Sequence, residues 1–187
     1  MKVFIIAVLL FTACPLQAKE IAGVIVQEVV TTESGADMAL NGAGIRSKFF
    51  VDIYIAELYM EQPSADVGEI LAASGGRRLV MYFLYKEVSK KKLVAGWNEG
   101  FSGNSTSENV AVLQPRIDSF NAMFSEVKRG ERIVLDYVPG KGTTVTVAGV
   151  EKGVIQGKDF NDALLRIWLG QNPVNKKLKK QLLSYGE

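Results

Sequence analysis

Apolar positions recur along this chain in two rhythms, every second residue and every third or fourth, and the switches between them mark the elements. Ile21 to Val30 is rich in Val and Ile and predicts a strand, with a second short strand at Asp37 to Leu40 after a Ser34-Gly35 turn. Asn41-Gly42-Ala43-Gly44 predicts a break, because glycine adopts positive φ without steric cost. Phe49 to Met60 is a long β-prone run, with Phe49, Val51, Ile53 and Ile55 on one face and Phe50, Asp52, Tyr54, Ala56 and Leu58 on the other. Both faces are largely apolar, so this strand is expected at the centre of a sheet covered on each side.

Ser64 is expected to cap a short helix through Ala73, and Arg77 to Tyr85 predicts the next strand. Ser89 caps a helix whose Leu93, Trp97 and Phe101 fall one turn apart. A third helical pattern runs from about Val112 to Lys128, and Pro115 sets its start nearby, since proline is welcome only in a first turn. Glu131 to Val138 and Thr143 to Val150 alternate as strands joined by Pro139-Gly140-Lys141-Gly142, and Glu151-Lys152-Gly153 turns into a further strand at Val154 to Gln156. Asp159 caps a helix carrying Phe160, Leu164, Ile167 and Trp168, and Asn175 caps a last one with Leu178, Leu182 and Leu183 inward. Strands and helices come in blocks rather than in strict alternation. That predicts a single α+β domain, a mostly hairpin-linked sheet with helices inserted in the middle and at the end.

Composition narrows the chemistry. The 187 residues include no histidine and one cysteine, Cys14. This excludes Ser-His-Asp and Cys-His relays, histidine metal ligands and any internal disulfide. With 22 Lys+Arg against 20 Asp+Glu, the net charge of +2 gives no basic footprint for nucleic acid. No cofactor or metal is implied, and nothing sets the oligomeric state.

The N-terminus reads as a targeting segment. Lys2 precedes the apolar run Val3 to Thr12, which is shorter than the about 20 residues a bilayer span requires. With Leu16-Gln17-Ala18 behind it, this is the pattern of a secretory signal, residues 1–18, cleaved after Ala18 to leave a domain of residues 19–187. A periplasmic or secreted location is therefore expected. The rival reading is a lipoprotein signal, Phe11-Thr12-Ala13-Cys14, with Cys14 lipidated. No later segment predicts a transmembrane helix.

Two glycine-rich stretches resemble nucleotide loops only superficially. Gly42-Ala43-Gly44-Ile45-Arg46-Ser47 lacks the third glycine and runs into a strand, and Pro139-Gly140-Lys141-Gly142-Thr143 lacks the upstream glycine. Lys90-Lys91-Lys92 opens a helix at its positive end and reads as a solvated face or an anion receiver. Arg46 is harder to set aside. It stands between the glycines and a two-faced apolar strand containing Tyr54, and a guanidinium stays charged there. It requires an anionic partner: a nearby acid such as Asp52 or Glu57, or an acidic ligand.

Asn41-Gly42-Ala43-Gly44-Ile45-Arg46, the run Lys48 to Met60, and Gly157-Lys158-Asp159-Phe160 with Ala163-Leu164-Leu165 resemble the chalcone isomerase-like family, most closely its exported bacterial branch. Trp168-Leu169-Gly170 followed by Pro173 is similar to the same branch. The resemblance implies an open-faced β-sandwich, a large antiparallel sheet packed by helices on one face with a ligand cleft between them. In the plant isomerases of this family the arginine of the glycine element stabilises negative charge developing during ring closure, which needs no histidine. Arg46 matches that residue, the active-site threonine falls at Tyr54, and the tyrosine and asparagine of the central helix correspond to the region Ser89 to Asn98, with Asn98 the nearest match. The non-catalytic relatives grip a fatty-acid carboxylate with an arginine and a tyrosine.

The resemblance therefore implies a binder of a small apolar acid, anchored by Arg46 and Tyr54, with Phe50, Leu93, Trp97, Phe101 and Asn98 around the ligand. Two alternatives stand beside it. One is an isomerase, an intramolecular lyase on a phenolic or enone substrate with Arg46 as its catalytic residue. The other is a structural protein whose cleft has collapsed around an Arg46 ion pair.

Overall fold

The computed structural model describes residues 18–32 and 35–186. The signal segment and Cys14 lie outside these residues apart from Ala18, as does Ser34 of the expected turn. Eleven strands and five helices follow in the order β1 (Ala18–Ile21), β2 (Val24–Gln27), β3 (Val29–Thr31), β4 (Asp37–Lys48), β5 (Val51–Met60), α1 (Val67–Ala72), β6 (Arg77–Phe83), β7 (Glu87–Val88), α2 (Lys90–Asn104), α3 (Ser107–Ala122), β8 (Val127–Lys128), β9 (Arg132–Val138), β10 (Gly142–Val147), β11 (Val150–Ile155), α4 (Lys158–Leu169) and α5 (Lys176–Leu182). Seven strands form one antiparallel sheet in the order β11-β10-β9-β6-β5-β4-β3. The one long excursion, between β6 and β9, carries α2 and α3 onto one face; α4 and α5 return over the same face.

Alternation along β5 explains why this sheet is covered on both sides. Tyr54, Ala56, Leu58 and Met60 join the core under the helices, with Trp97, Phe120 and Trp168. Ile55 faces the other way, into a smaller cluster closed by Val26 of the β1–β2 hairpin. The central, two-faced strand expected from its apolar pattern is therefore the strand that forms. Buried Arg77 ties the layers together: it donates to Asp162 of α4 at 2.7 Å and to the Ile70 carbonyl at 3.0 Å, and lies 5.0 Å from the Tyr137 ring centroid. Arg116 clasps Asp159 at 2.6 and 2.8 Å, joining α3 to α4 and holding the Asp159 carboxyl below its ordinary range.

Several expected boundaries move, each for a local reason. Ile21 to Val30 is three short strands, because Ala22-Gly23 makes a tight turn at φ 50° and 77°. The α1 cap is Asp66, whose carboxylate accepts from the Glu69 N–H at 2.9 Å, while Ser64 bonds the Glu69 side chain. Helix α3 starts at Thr106, two turns before Pro115, so the proline sits inside the helix. Gly157 rather than Asp159 occupies the α4 cap. The β10–β11 turn falls at Ala148-Gly149, earlier than Glu151-Lys152-Gly153. Ser89 and Asn175 do cap α2 and α5.

The largest correction concerns Asn41 to Gly44, which is no break but the middle of β4. Gly42 and Gly44 pair with Leu58 and Ala56 and lie on the helix-facing side. A side chain there has nowhere to go: a Cβ on Gly42 would overlap the Gln181 carbonyl and stand 2.7 Å from the Leu182 carbonyl carbon, and one on Gly44 would overlap the Gln181 side chain. The glycines exist so that α5 can lie directly on the strand backbone. Asn41, bulged out of register, donates to the Leu182 carbonyl at 2.8 Å and accepts from the Ser64 N–H, fixing the C-terminal end of α5. At the other end Asn175 donates to the Ser47 carbonyl at 3.3 Å.

Gly42→Ala is expected to cost about 1–3 kcal/mol in urea unfolding, the usual toll of overpacking. Gly96→Ala, in the middle of α2 with nothing within 4 Å of its new Cβ, is expected to gain about 0.5–1 kcal/mol. Equal midpoints for the two variants would show that α5 does not need its close seat on β4.

Candidate functional site

Arg46 is the next residue after Gly42 and Gly44 on the helix-facing side of β4, and it pairs with Tyr54 across the β4–β5 ladder. Because α5 occupies the glycine stretch, Arg46 is where the strand regains a side chain, and it lines a cavity of about 500 Å³ between the sheet and helices α2 and α4. Tyr54, Met81 and Phe83 line the sheet side; Leu93, Trp97 and Ile167 line the helix side. The volume and largely apolar lining are those of a small-molecule site, for which roughly 300–1,000 Å³ is usual.

A bulge sets which residues of β5 face this space. Arg46 pairs with Tyr54 but Ser47 pairs with Asp52, so Ile53 is an extra residue on β5. Its carbonyl accepts from both Leu84 and Tyr85, at 2.9 and 3.1 Å. A one-residue bulge reverses the parity of the strand beyond it and re-aims side chains. Val51 and Ile53 therefore line the cavity together with Tyr54, and Asp52 turns away to accept from the Ser47 hydroxyl at 2.6 Å.

That parity change decides the fate of the expected site residues. Arg46, Tyr54, Leu93 and Trp97 come together around the cavity. Phe50 does not: it sits at the tip of the β4–β5 turn, fully exposed, where two-residue alternation no longer applies. Phe101 is 1% exposed and packs on Phe120 and Phe160, deeper in the core than the cavity wall. Asn98 lies on the solvent face of α2, accepting from Asn121 at 2.8 Å. Phe49, Val51, Ile53, Met81 and Phe83 were not expected at the cavity and line it; the bulge that brings the β5 pair in carries no sequence signal of its own.

Five charged residues line the cavity, Arg46, Lys48, Glu87, Lys92 and Glu99, and Arg46 is the one that stands beside Tyr54. Among the described residues no carboxylate forms an ion pair with Arg46, and its Nε is buried without a hydrogen-bond partner. Asp52 is taken by Ser47, and Glu57 faces the opposite side of the sheet, accepting from the Tyr59 hydroxyl at 2.8 Å. What Arg46 has is the Tyr54 ring, its guanidinium carbon 5.5 Å from the centroid. The Tyr54 hydroxyl accepts from the Trp168 indole N–H at 2.9 Å, which leaves its own proton free. Burial raises the Tyr54 pKa, outweighing the opposing pull of Arg46 and Trp168. The phenol is thus a neutral donor throughout the physiological range. A fixed cation and a neutral O–H donor, side by side against an apolar hollow, can receive a carboxylate and its hydrocarbon tail.

Removing the Tyr54 hydroxyl strands a buried indole N–H. Tyr54→Phe is expected to destabilise the fold by about 1–3 kcal/mol in denaturant unfolding. Trp168→Phe combined with Tyr54→Phe is expected to recover part of that loss, because neither partner is then left unsatisfied.

A family model described as chalcone isomerase-like matches residues 18–184. The fold is similar to the crystal structure of a fatty-acid binding protein from Arabidopsis thaliana, with a TM-score of 0.61 and 16% sequence identity, over 83% of this chain and 96% of that one. No curated protein sequence matches the chain.

Proposed function

Because the chain belongs to the chalcone isomerase-like family, we propose that it is a non-catalytic binder of a small apolar acid, such as a fatty acid, held in the cavity by Arg46 and Tyr54. One observation carries the reading: Arg46 borders a largely apolar hollow of about 500 Å³ and forms an ion pair with no carboxylate among the described residues. The ligand carboxylate supplies that counter-charge, accepting from the guanidinium and from the free Tyr54 proton, while the tail lies against Leu93, Trp97 and Met81. The Arabidopsis structure is that of a fatty-acid binding protein, and its likeness in fold is consistent with this use of the cleft. The third expectation, a cleft collapsed on an Arg46 ion pair, does not suit a hollow of this size. We further propose that residues 1–18 are removed on export and that the protein works in the periplasm.

Native mass spectrometry of the purified protein is expected to show a co-purified acid that is lost from Arg46→Ala. Titration with a long-chain fatty acid is expected to show about a ten- to hundredfold weaker Kd for that variant, the equivalent of one charge-assisted contact. Gly96→Leu, which fills the open space beside α2, is expected to weaken binding while the fold persists. Affinity should fall below about pH 5 as the ligand protonates, and stay flat up to pH 9, because burial moves Tyr54 upward and away from that range. Equal affinity in Arg46→Ala, or chalcone cyclisation by the wild type above the spontaneous rate, would overturn the reading in favour of a different anchor or of catalysis.

A further inference from the structure

Among the described residues, three turns are two-residue hairpins with positive φ at both central positions. Ala22-Gly23 lies at 50° and 77°, Ala148-Gly149 at 51° and 79°, and Phe49-Phe50 at 49° and 65°. Such turns select Asn-Gly or a glycine in second place, because a Cβ is unfavourable there. The first two hairpins follow the rule. The third places two of the bulkiest side chains on left-handed backbone, and it exposes them: Phe49 is 85% exposed and Phe50 is 105%. A sequence chosen for stability alone would not carry this pair, and local rules are broken where a function is served.

The surroundings indicate what the tip meets. Phe49 lines the cavity, as do Val51 and Tyr85, both themselves partly exposed, so the tip stands at the cavity mouth. The Lys48 ammonium lies 5.9 Å from the Phe49 ring centroid. Across the mouth runs the segment Tyr85-Lys86-Glu87-Val88-Ser89-Lys90-Lys91-Lys92, of which Tyr85, Glu87, Val88 and Lys92 line the cavity. Of the charged residues, Arg46, Lys48 and Lys92 line the cavity against Glu87 and Glu99; Lys86 and Lys91, both exposed, adjoin Glu87 and Lys92 in the chain, while Lys90 reaches the Ala122 carbonyl of α3. A stable protein partner needs about 800 Å² of complementary surface on each side, which a two-residue protrusion does not offer. A bilayer requires no such complementarity: exposed aromatics enter the interface and flanking lysines meet anionic headgroups.

We propose that the Phe49-Phe50 tip inserts into an anionic lipid bilayer, with Lys48 and the lysines of 86–92 on the headgroups, so that the cavity mouth opens on the membrane. The inference stands apart from the acid-binding reading, since it rests on the turn and the charge of the rim. If both hold, an apolar acid passes between bilayer and cavity without crossing water.

Co-sedimentation tests it, with vesicles of phosphatidylethanolamine and phosphatidylglycerol against vesicles of phosphatidylcholine alone. The wild type is expected to partition onto the first and far less onto the second. Phe50→Gly and Phe49→Asn/Phe50→Gly are expected to lower that partitioning about tenfold or more. Their unfolding midpoints should equal or exceed the wild type, because Asn-Gly suits the turn, so loss of folding is not an available explanation. Phe50→Gly should keep its affinity for fatty acid, whereas Arg46→Ala should lose the acid and keep the vesicles; the two readings therefore fail separately. Wild-type protein that stays in the supernatant, or Phe50→Gly that partitions as well as wild type, would overturn the proposal. So would sedimentation velocity showing a dimer that Phe50→Gly dissociates without any vesicle binding, which would make the tip a contact between copies.

Discussion

A helix can lie on the backbone of a strand only where that strand has no side chains, and the close approach of α5 to β4 governs the geometry of the whole site. Gly42 and Gly44 give it room, Asn41 holds one end of the helix and Asn175 the other. The consequence reaches beyond packing. With α5 filling the surface above the glycines, Arg46 is the first side chain on that face, and the cavity begins where the helix ends. Had the strand carried ordinary side chains at 42 and 44, the helix would be displaced and Arg46 would be one polar group on an open sheet.

The sequence disclosed the architecture because the architecture is written in periodicity. The two-faced strand around Tyr54 to Leu58, the stripe Leu93-Trp97-Phe101 and the caps at Ser89 and Asn175 are local patterns, and each appears where the pattern puts it. What escaped were features that depend on a partner distant in the chain. Nothing in Asn41 to Gly44 says that residues 181 and 182 will press on it, so the glycines read as a flexible break. Nothing in Val51 to Ile55 announces a bulge, since its cause is the mismatch between two strands. One inserted residue was enough to turn Asp52 away and bring Val51 and Ile53 in.

Within the site, Arg46 and Tyr54 were legible as site residues through the resemblance to a family, whereas Trp168 was legible as a helix aromatic and as part of that resemblance but not as a partner of Tyr54. In the structure its indole N–H satisfies the Tyr54 oxygen, and that bond frees the phenolic proton for the cavity. The aromatic cluster of Trp97, Phe120, Phe124 and Trp168 then serves two ends. It fills the core beneath the helices, and through Trp168 it fixes the orientation of the Tyr54 hydroxyl beside the cation.

Arg46 and Arg77 differ in what answers their charge, and that difference separates scaffold from site. Arg77 has a counter-charge in the Asp162 carboxylate and rests on the Ile70 carbonyl and the Tyr137 ring, although its Nε, like that of Arg46, is buried without a hydrogen-bond partner. Removing water from that charge is offset within the protein, and its role ends with joining sheet to helices. Arg46 has the Tyr54 ring and no counter-charge among the described residues, with a buried Nε that by itself costs about 1–3 kcal/mol. Only Ser47 and Lys48 separate this incomplete cation from the strained Phe49-Phe50 turn, and both belong to one hairpin. Residues on left-handed backbone cost about 1–2 kcal/mol each. Stability is thus given up twice along β4 and β5, at an anion-seeking group within the cavity and at an apolar tip on its rim, while elsewhere the helices are capped and the deepest charge is paired. On the two readings proposed above, the partners this hairpin lacks are an acid for Arg46 and a bilayer for the Phe49-Phe50 tip.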